Sequence, residues 1–126
     1  MHASPVLPRR PRARVALLGL DGLSLDIARA IAAFGRTPHL EALCRDPRTG
    51  TVDAELPELS PVNWTSLATA AGPEAHGVYG FTRMNPATYA ITITDSRQVR
   101  LPTIFDRLAG QGRICRVLNL PGLWPV

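Results

Sequence analysis

A chain of 126 residues, 45% hydrophobic and 19% charged, has the size and composition of one modest folded domain, which excludes a disordered chain. All fourteen basic residues are arginines; with Arg9, Arg10, Arg12 and Arg14 set aside as an N-terminal group, the other ten balance ten acidic residues, and a neutral body without arginine–aromatic clusters is not a phosphate-backbone reader, so no nucleic-acid partner is expected. No stretch approaches the ~20 apolar residues of a membrane span, the apolar run at 15–20 is short for a signal peptide, and Cys44 and Cys115 stand apart without CxxC spacing, the usage expected of reduced thiols in a cytoplasmic protein.

Residues 1–13, rich in Pro and Arg, are expected as a flexible arm, with 14–126 as one α/β domain. RVALLGL at 14–20 is a continuous apolar run closed by Asp21-Gly22, the pattern of a strand buried on both faces of a parallel sheet. Leu23, Ile27, Ala30, Ile31 and Phe34 then fall at helical spacing, with Ser24 as cap and Gly35 as stop. Thr37-Pro38 opens a second helix with Leu40, Leu43 and Cys44 inward, ended by Pro47. TGTVDAEL at 49–56 reads as a strand. Next, Ser60 is placed as an N-cap and Pro61 as the first helical residue, ahead of a Trp64, Leu67, Ala68 and Ala71 stripe. Gly72-Pro73 stops that helix. YAITIT at 89–94 alternates as a half-buried strand, TIFDRLAGQG at 103–112 is a helix with a glycine end, and RICRVLNL at 113–120 is another buried strand. Strands alternating with helices point to an α/β fold, a mostly parallel sheet flanked by helices.

Ligands of open α/β sheets collect at the carboxyl ends of the strands, where Asp21 is expected. There it is either a metal ligand or phosphate-site anchor, or the residue that opens a turn with Gly22. Ser60 has two compatible readings. A hydroxyl at a helix N-terminus caps it, and unpaired N–H groups with the positive end of the dipole also stabilise an alkoxide or phosphoryl oxyanion there. Asn63 either completes the cap or donates to a phosphoryl oxygen. Thr65 and Ser66 read as solvated or back-bonded helix hydroxyls, His76 as a structural histidine and Asp26 as a helix-dipole partner, not a ligand.

VALLGLDGLSLDIARAI, TPHLEAL, LSPVNWTSLATAAGPEAHGVYGF and PTIFDRLAGQGRICRVLNLPGLWP, in that order, resemble the N-terminal part of the alkaline phosphatase superfamily, in its branch of type I phosphodiesterases, nucleotide pyrophosphatases and bacterial phosphohydrolases. The most specific piece is the helix-opening Ser/Thr stretch ending in P-x-x-H-G at 73–77. The resemblance implies a phosphoester hydrolase acting on small molecules through two divalent metal ions, commonly zinc. Asp21 would bind one metal, and Ser60 would coordinate it and attack phosphorus to form a covalent phospho-enzyme. Three departures qualify this. An Asn that nucleotide pyrophosphatases use to hold a phosphoryl oxygen is replaced by Phe81. The Cys/Ser-x-Pro-x-Arg pattern of sulfatases is absent around Ser60, and His39 stands within the place of a common Pro-Asn-Leu as an exposed helix-start residue.

The family takes its remaining metal ligands from later chain, and only Asp95 and Asp106 follow His76 as possible ligands here. Two zinc ions want about three protein ligands each, so the chain is expected to be a truncated front portion with little or no activity alone. The competing reading is a non-catalytic α/β remnant or interaction module whose uncovered sheet edge pairs with a partner or another copy. A dinucleotide-binding module is disfavoured, since GLDGLSLD lacks G-x-G-x-x-G spacing.

Overall fold

The computed structural model describes residues 14–122 and 124; the expected arm at 1–13 lies outside them. The chain divides into two units, Met1–Asp46 and Pro47–Val126.

In the first unit, α1 (Leu25–Ala33) packs on α2 (Pro38–Arg45). Ser24 caps α1 as its position requires, its Oγ accepting from the Ile27 N–H at 3.3 Å, and Gly35 leaves the helix at φ +69, a left-handed conformation that glycine adopts without strain. Pro38 opens α2 at a position where its missing N–H is not needed. The buried face of α1 is not the one its large residues mark. Ala28 and Ala32 are buried, while Ile27, Ile31 and Phe34 (79% exposed) face outward. Small residues let two helices approach closely, whereas the broad apolar stripe is shaped for a sheet.

That sheet is the largest departure from expectation. Among the described residues the one sheet is an antiparallel pair, β1 (Thr82–Met84) with β2 (Ile91–Ile93), with Thr82 opposite Ile93 and Met84 opposite Ile91. The runs at 14–20, 49–56 and 113–120 carry no ladder. The physical reason is non-local: a buried parallel strand needs neighbours on both edges and cover on both faces, and Val15 (90%), Leu18 (84%) and Leu118 (89%) have neither. The hairpin needs only its own turn, closed by the Asn85 N–H to Ala90 C=O bond at 2.9 Å and by Asn85 Oδ1 accepting from the Ala87 N–H. Its strands are exposed throughout, so YAITIT is a surface strand and not a half-buried one.

The second unit is organised by α3 (Ser60–Thr69), which packs against the one-turn α4 (Pro73–His76) and against α5 (Ile104–Gly110). A 3-10 turn, Ser96–Gln98, follows the hairpin. The core face of α3 carries Val62, Thr65, Ala68 and Thr69; of the anticipated Trp64, Leu67, Ala68 and Ala71 stripe only Ala68 is buried, Trp64 and Ala71 are half-buried, and Leu67 is exposed. Burying two threonines there is inexpensive because each hydroxyl donates to the carbonyl four residues back, Thr65 to Pro61 at 2.6 Å and Thr69 to Thr65 at 2.8 Å. No helix among the described residues is long and apolar enough to cross a membrane.

α5 begins with a complete capping box. The Thr103 N–H and hydroxyl donate to Asp106 Oδ2 at 2.7 and 2.6 Å, and the Asp106 N–H donates back to Thr103 Oγ1 at 3.3 Å. Replacing Thr103→Ala is expected to lower the stability of the second unit by about 1 kcal/mol, read as a lower urea midpoint, with Thr103→Ser retaining most of it.

Candidate active site

Ser60 is the first residue of α3, one place further into the helix than the sequence suggests. Leu59, extended at φ −116 and ψ 140, is the cap, and no side chain fills the capping role. The Leu59 carbonyl accepts from the Val62 and Asn63 N–H groups, both at 3.0 Å, and Pro61, at the second helical position, has no N–H to satisfy. The helix start is therefore built from backbone, with Leu59 and not Ser60 in the cap position. Ser60 is half-buried.

Asn63 fastens the incoming chain to this helix start. Its Oδ1 accepts from the Glu55 N–H at 2.8 Å, and its Nδ2 donates to the Leu59 carbonyl at 3.3 Å and the Glu55 carbonyl at 3.4 Å. The loop that delivers Ser60 is thus held at both ends.

One turn and a half further along, Ser66 meets His76, with Ser66 Oγ 3.0 Å from His76 Nε2. His76 is fully buried. The Val78 N–H donates to Nδ1 at 3.1 Å, so Nδ1 must carry the lone pair and the neutral ring keeps its proton on Nε2. Nε2–H then donates to Ser66, and the pair is the reverse of a nucleophile with its base. Burial lowers the His76 pKa from its ordinary value, against the opposing charges of Glu74 and Glu55. Sequence reading treats Ser66 and His76 separately. The signal that joins them is the Gly72-Pro73 reversal, which folds α4 back on α3.

Gly77 follows at φ +81 and ends α4. The chain from His76 then returns along α3, because Gly80 comes against Leu59, whose Cδ1 would lie 3.6 Å from a Cβ at Gly80. Phe81 follows at once and its carbonyl accepts from the Thr94 N–H at 2.8 Å. The His76–Gly80 segment therefore links the middle of α3 to the residue before Ser60.

The remaining acidic candidates form no ligand group among the described residues. Asp21 lies in the first unit, exposed in its turn with Gly22, and Ser60 in the second. Asp95 pairs with Arg97, whose hydrogen bond holds the Asp95 carboxyl below its ordinary value. Asp106 is held low by the Thr103 hydroxyl. Asp26 is 3.8 Å from Arg29 on the surface of α1. Among the described residues no three His, Cys, Asp or Glu side chains come together in a group able to hold a metal ion. The described residues by themselves do not fit a two-metal centre.

Compared with known proteins, residues 15–124 match the family model described as type I phosphodiesterase / nucleotide pyrophosphatase. No curated protein and no solved structure matches the chain significantly.

The His76 geometry fixes a pH dependence. A histidine whose folded pKa lies below its unfolded value of about 6.5 favours folding above that pH, and the contribution is lost as pH falls and the unfolded chain takes up the proton first. Stability measured by urea unfolding is expected to fall between about pH 7 and pH 5. The fall should shrink in His76→Gln, whose amide can still donate to Ser66 but does not titrate.

Proposed function

The chain belongs to the type I phosphodiesterase / nucleotide pyrophosphatase family, and from that premise we propose that its site acts on small-molecule phosphoesters with Ser60 as the nucleophile. The observation that carries this reading is the family match over 15–124. Its local support is a serine on the first residue of a ten-residue helix, where the N-terminal N–H groups and helix dipole favour the negative charge of an attacking alkoxide or a phosphoryl oxygen.

In the proposed reaction Ser60 Oγ forms a bond to phosphorus in line with the leaving oxygen, whose bond breaks as it takes a proton; the hydroxyl proton of Ser60 passes to solvent. Water then attacks the phosphoseryl group and restores the hydroxyl. His76 is not the base, because its Nε2 bears a proton toward Ser66. Asn63 keeps the helix start in place, and its amide is our proposed contact to a phosphoryl oxygen, made in exchange for its bonds to Glu55 and Leu59. The family is generally metal-dependent, and a metal supplies charge neutralisation at phosphorus. Asp21, in the first unit, is our proposed ligand, with zinc as the ion, on its place in the motif alone. Because the described residues gather no three-ligand group, slow turnover is part of the proposal.

A second reading, a non-catalytic interaction module, is favoured by the apolar surface of the first unit, where Val15, Leu17, Leu18 and Phe34 are largely exposed. It predicts concentration-dependent association in sedimentation without any chemistry at Ser60.

Hydrolysis of bis(p-nitrophenyl) phosphate with added zinc separates the two. We expect slow release of nitrophenol, a phosphoryl adduct mapped by mass spectrometry to Ser60, and a drop of about 10³-fold or more in Ser60→Ala. Undiminished turnover in that variant, or an adduct on another residue, refutes the assignment, and fast turnover refutes its slowness. A chelator should suppress whatever hydrolysis is present.

A further inference from the structure

The turn after α4, the hairpin and the 3-10 turn line a half-open pocket of about 240 Å³ within the second unit. Arg83 and Arg100 both line it, with Gln98, Thr82 and Thr94 beside them and the Gly77–Tyr79 backbone as one wall. No carboxylate is among its lining residues. Neither guanidinium forms an ion pair among the described residues.

Arg100 is seated and not merely nearby. Its backbone N–H donates to the His76 carbonyl at 3.0 Å, and its side chain lies over Gly77 so closely that a Cβ there would stand 2.8 Å from Nε and 2.9 Å from Cδ. The missing side chain of Gly77 is what lets the guanidinium in. Two exposed positive charges lining one small space repel each other unless an anion lies between them, and two arginine forks with amide and hydroxyl donors match the oxygens of a phosphate group. The volume is below the ~300 Å³ at which pockets begin to take whole drug-sized ligands, which suits one ionic group and not an entire nucleotide.

We propose that this pocket binds a phosphate group, the second anionic group of the phosphoester whose scissile phosphorus is taken at Ser60. The clause about Ser60 rests on the function proposed above; the pocket does not. Its wall is tied to the helix start by chain: Val78 to Gly80 spans at most ~7 Å, and Gly80 lies against Leu59, the residue before Ser60. Phosphate in the pocket comes either from the substrate or as free inorganic phosphate, and methyl phosphate and inorganic phosphate as probes distinguish these sources.

The test is an amide NMR titration of the full chain carrying Ser60→Ala, in a chelator, so that neither hydrolysis nor a metal contributes. Both probes are expected to shift the Gly77, Val78, Tyr79 and Thr94 signals, with affinity weakened about tenfold in Arg83→Gln and in Arg100→Gln, the scale of one lost charge-assisted hydrogen bond. Arg100→Lys should fall between, keeping charge without the fork, and Arg107→Gln on α5 should change nothing; unshifted α5 signals report that each variant folds. Shifts with inorganic phosphate alone overturn the substrate source. Absence of shifts with either probe, or equal weakening by Arg107→Gln, overturns the pocket. Intact binding beside a wild-type chain that forms no Ser60 adduct leaves the pocket standing and removes the function read at Ser60.

Discussion

The second unit depends on one buried polar contact, the Ser66 to His76 to Val78 chain of hydrogen bonds. A fully buried imidazole is expensive unless both nitrogens are satisfied, and here each nitrogen has one fixed partner. That requirement sets the geometry around it. α4 must fold back on α3 for Nε2 to reach Ser66, and the chain must turn at Gly77 for the Val78 N–H to reach Nδ1. Everything downstream inherits this: the return to Leu59, the start of the hairpin at Thr82, and the seat of Arg100 over Gly77.

How much of the fold was legible follows the range of the forces involved. Helices were readable because their signals are local. Ser24 and Thr103 cap through their own neighbours, Pro38 and Pro61 sit where an N–H is dispensable, and Gly35 and Gly112 leave their helices at positive φ. Strands were not readable in the same way. A run such as RVALLGL says what it would bury but not what would bury it, and the one ladder among the described residues is a hairpin that supplies its own partner. The apolar faces obey the same logic. Large residues on α1 announce a wide apolar stripe, while the helix-helix contact that forms is the narrow alanine one, because it requires only α2.

Motif position makes Ser60 and Asp21 candidates in the sequence, and its place in the first turn makes Asn63 one. What was not legible is how those residues are used. Ser60 as a cap was the local expectation; Leu59 holds the cap position instead, one residue earlier. Asn63 was weighed as a phosphoryl donor, and its amide also braces Glu55 and Leu59, a use that depends on a residue eight places earlier. Only the Gly72-Pro73 reversal hints in the sequence that Ser66 meets His76, and nothing local brings Arg83 and Arg100 to one pocket, since that takes the further reversal at Asn85-Pro86.

The tautomer of His76 bears on the electrostatics of the whole unit. A histidinium in that position would place a proton on Nδ1 against the Val78 N–H, and burial already disfavours the charge. The ring is therefore a neutral strut, and the positive charge of this region is carried outside it, by Arg100 and Arg83 at the pocket. Arginine remains charged at any pH the protein meets, whereas histidine would not. A phosphate-binding wall supported by a neutral histidine and charged by arginines keeps its attraction for anions independent of pH, and leaves stability, not binding, as the quantity that His76 makes pH-sensitive. The division assigns the two residues that flank Gly77 in space to separate tasks: one holds the chain against α3, and the other faces the ligand.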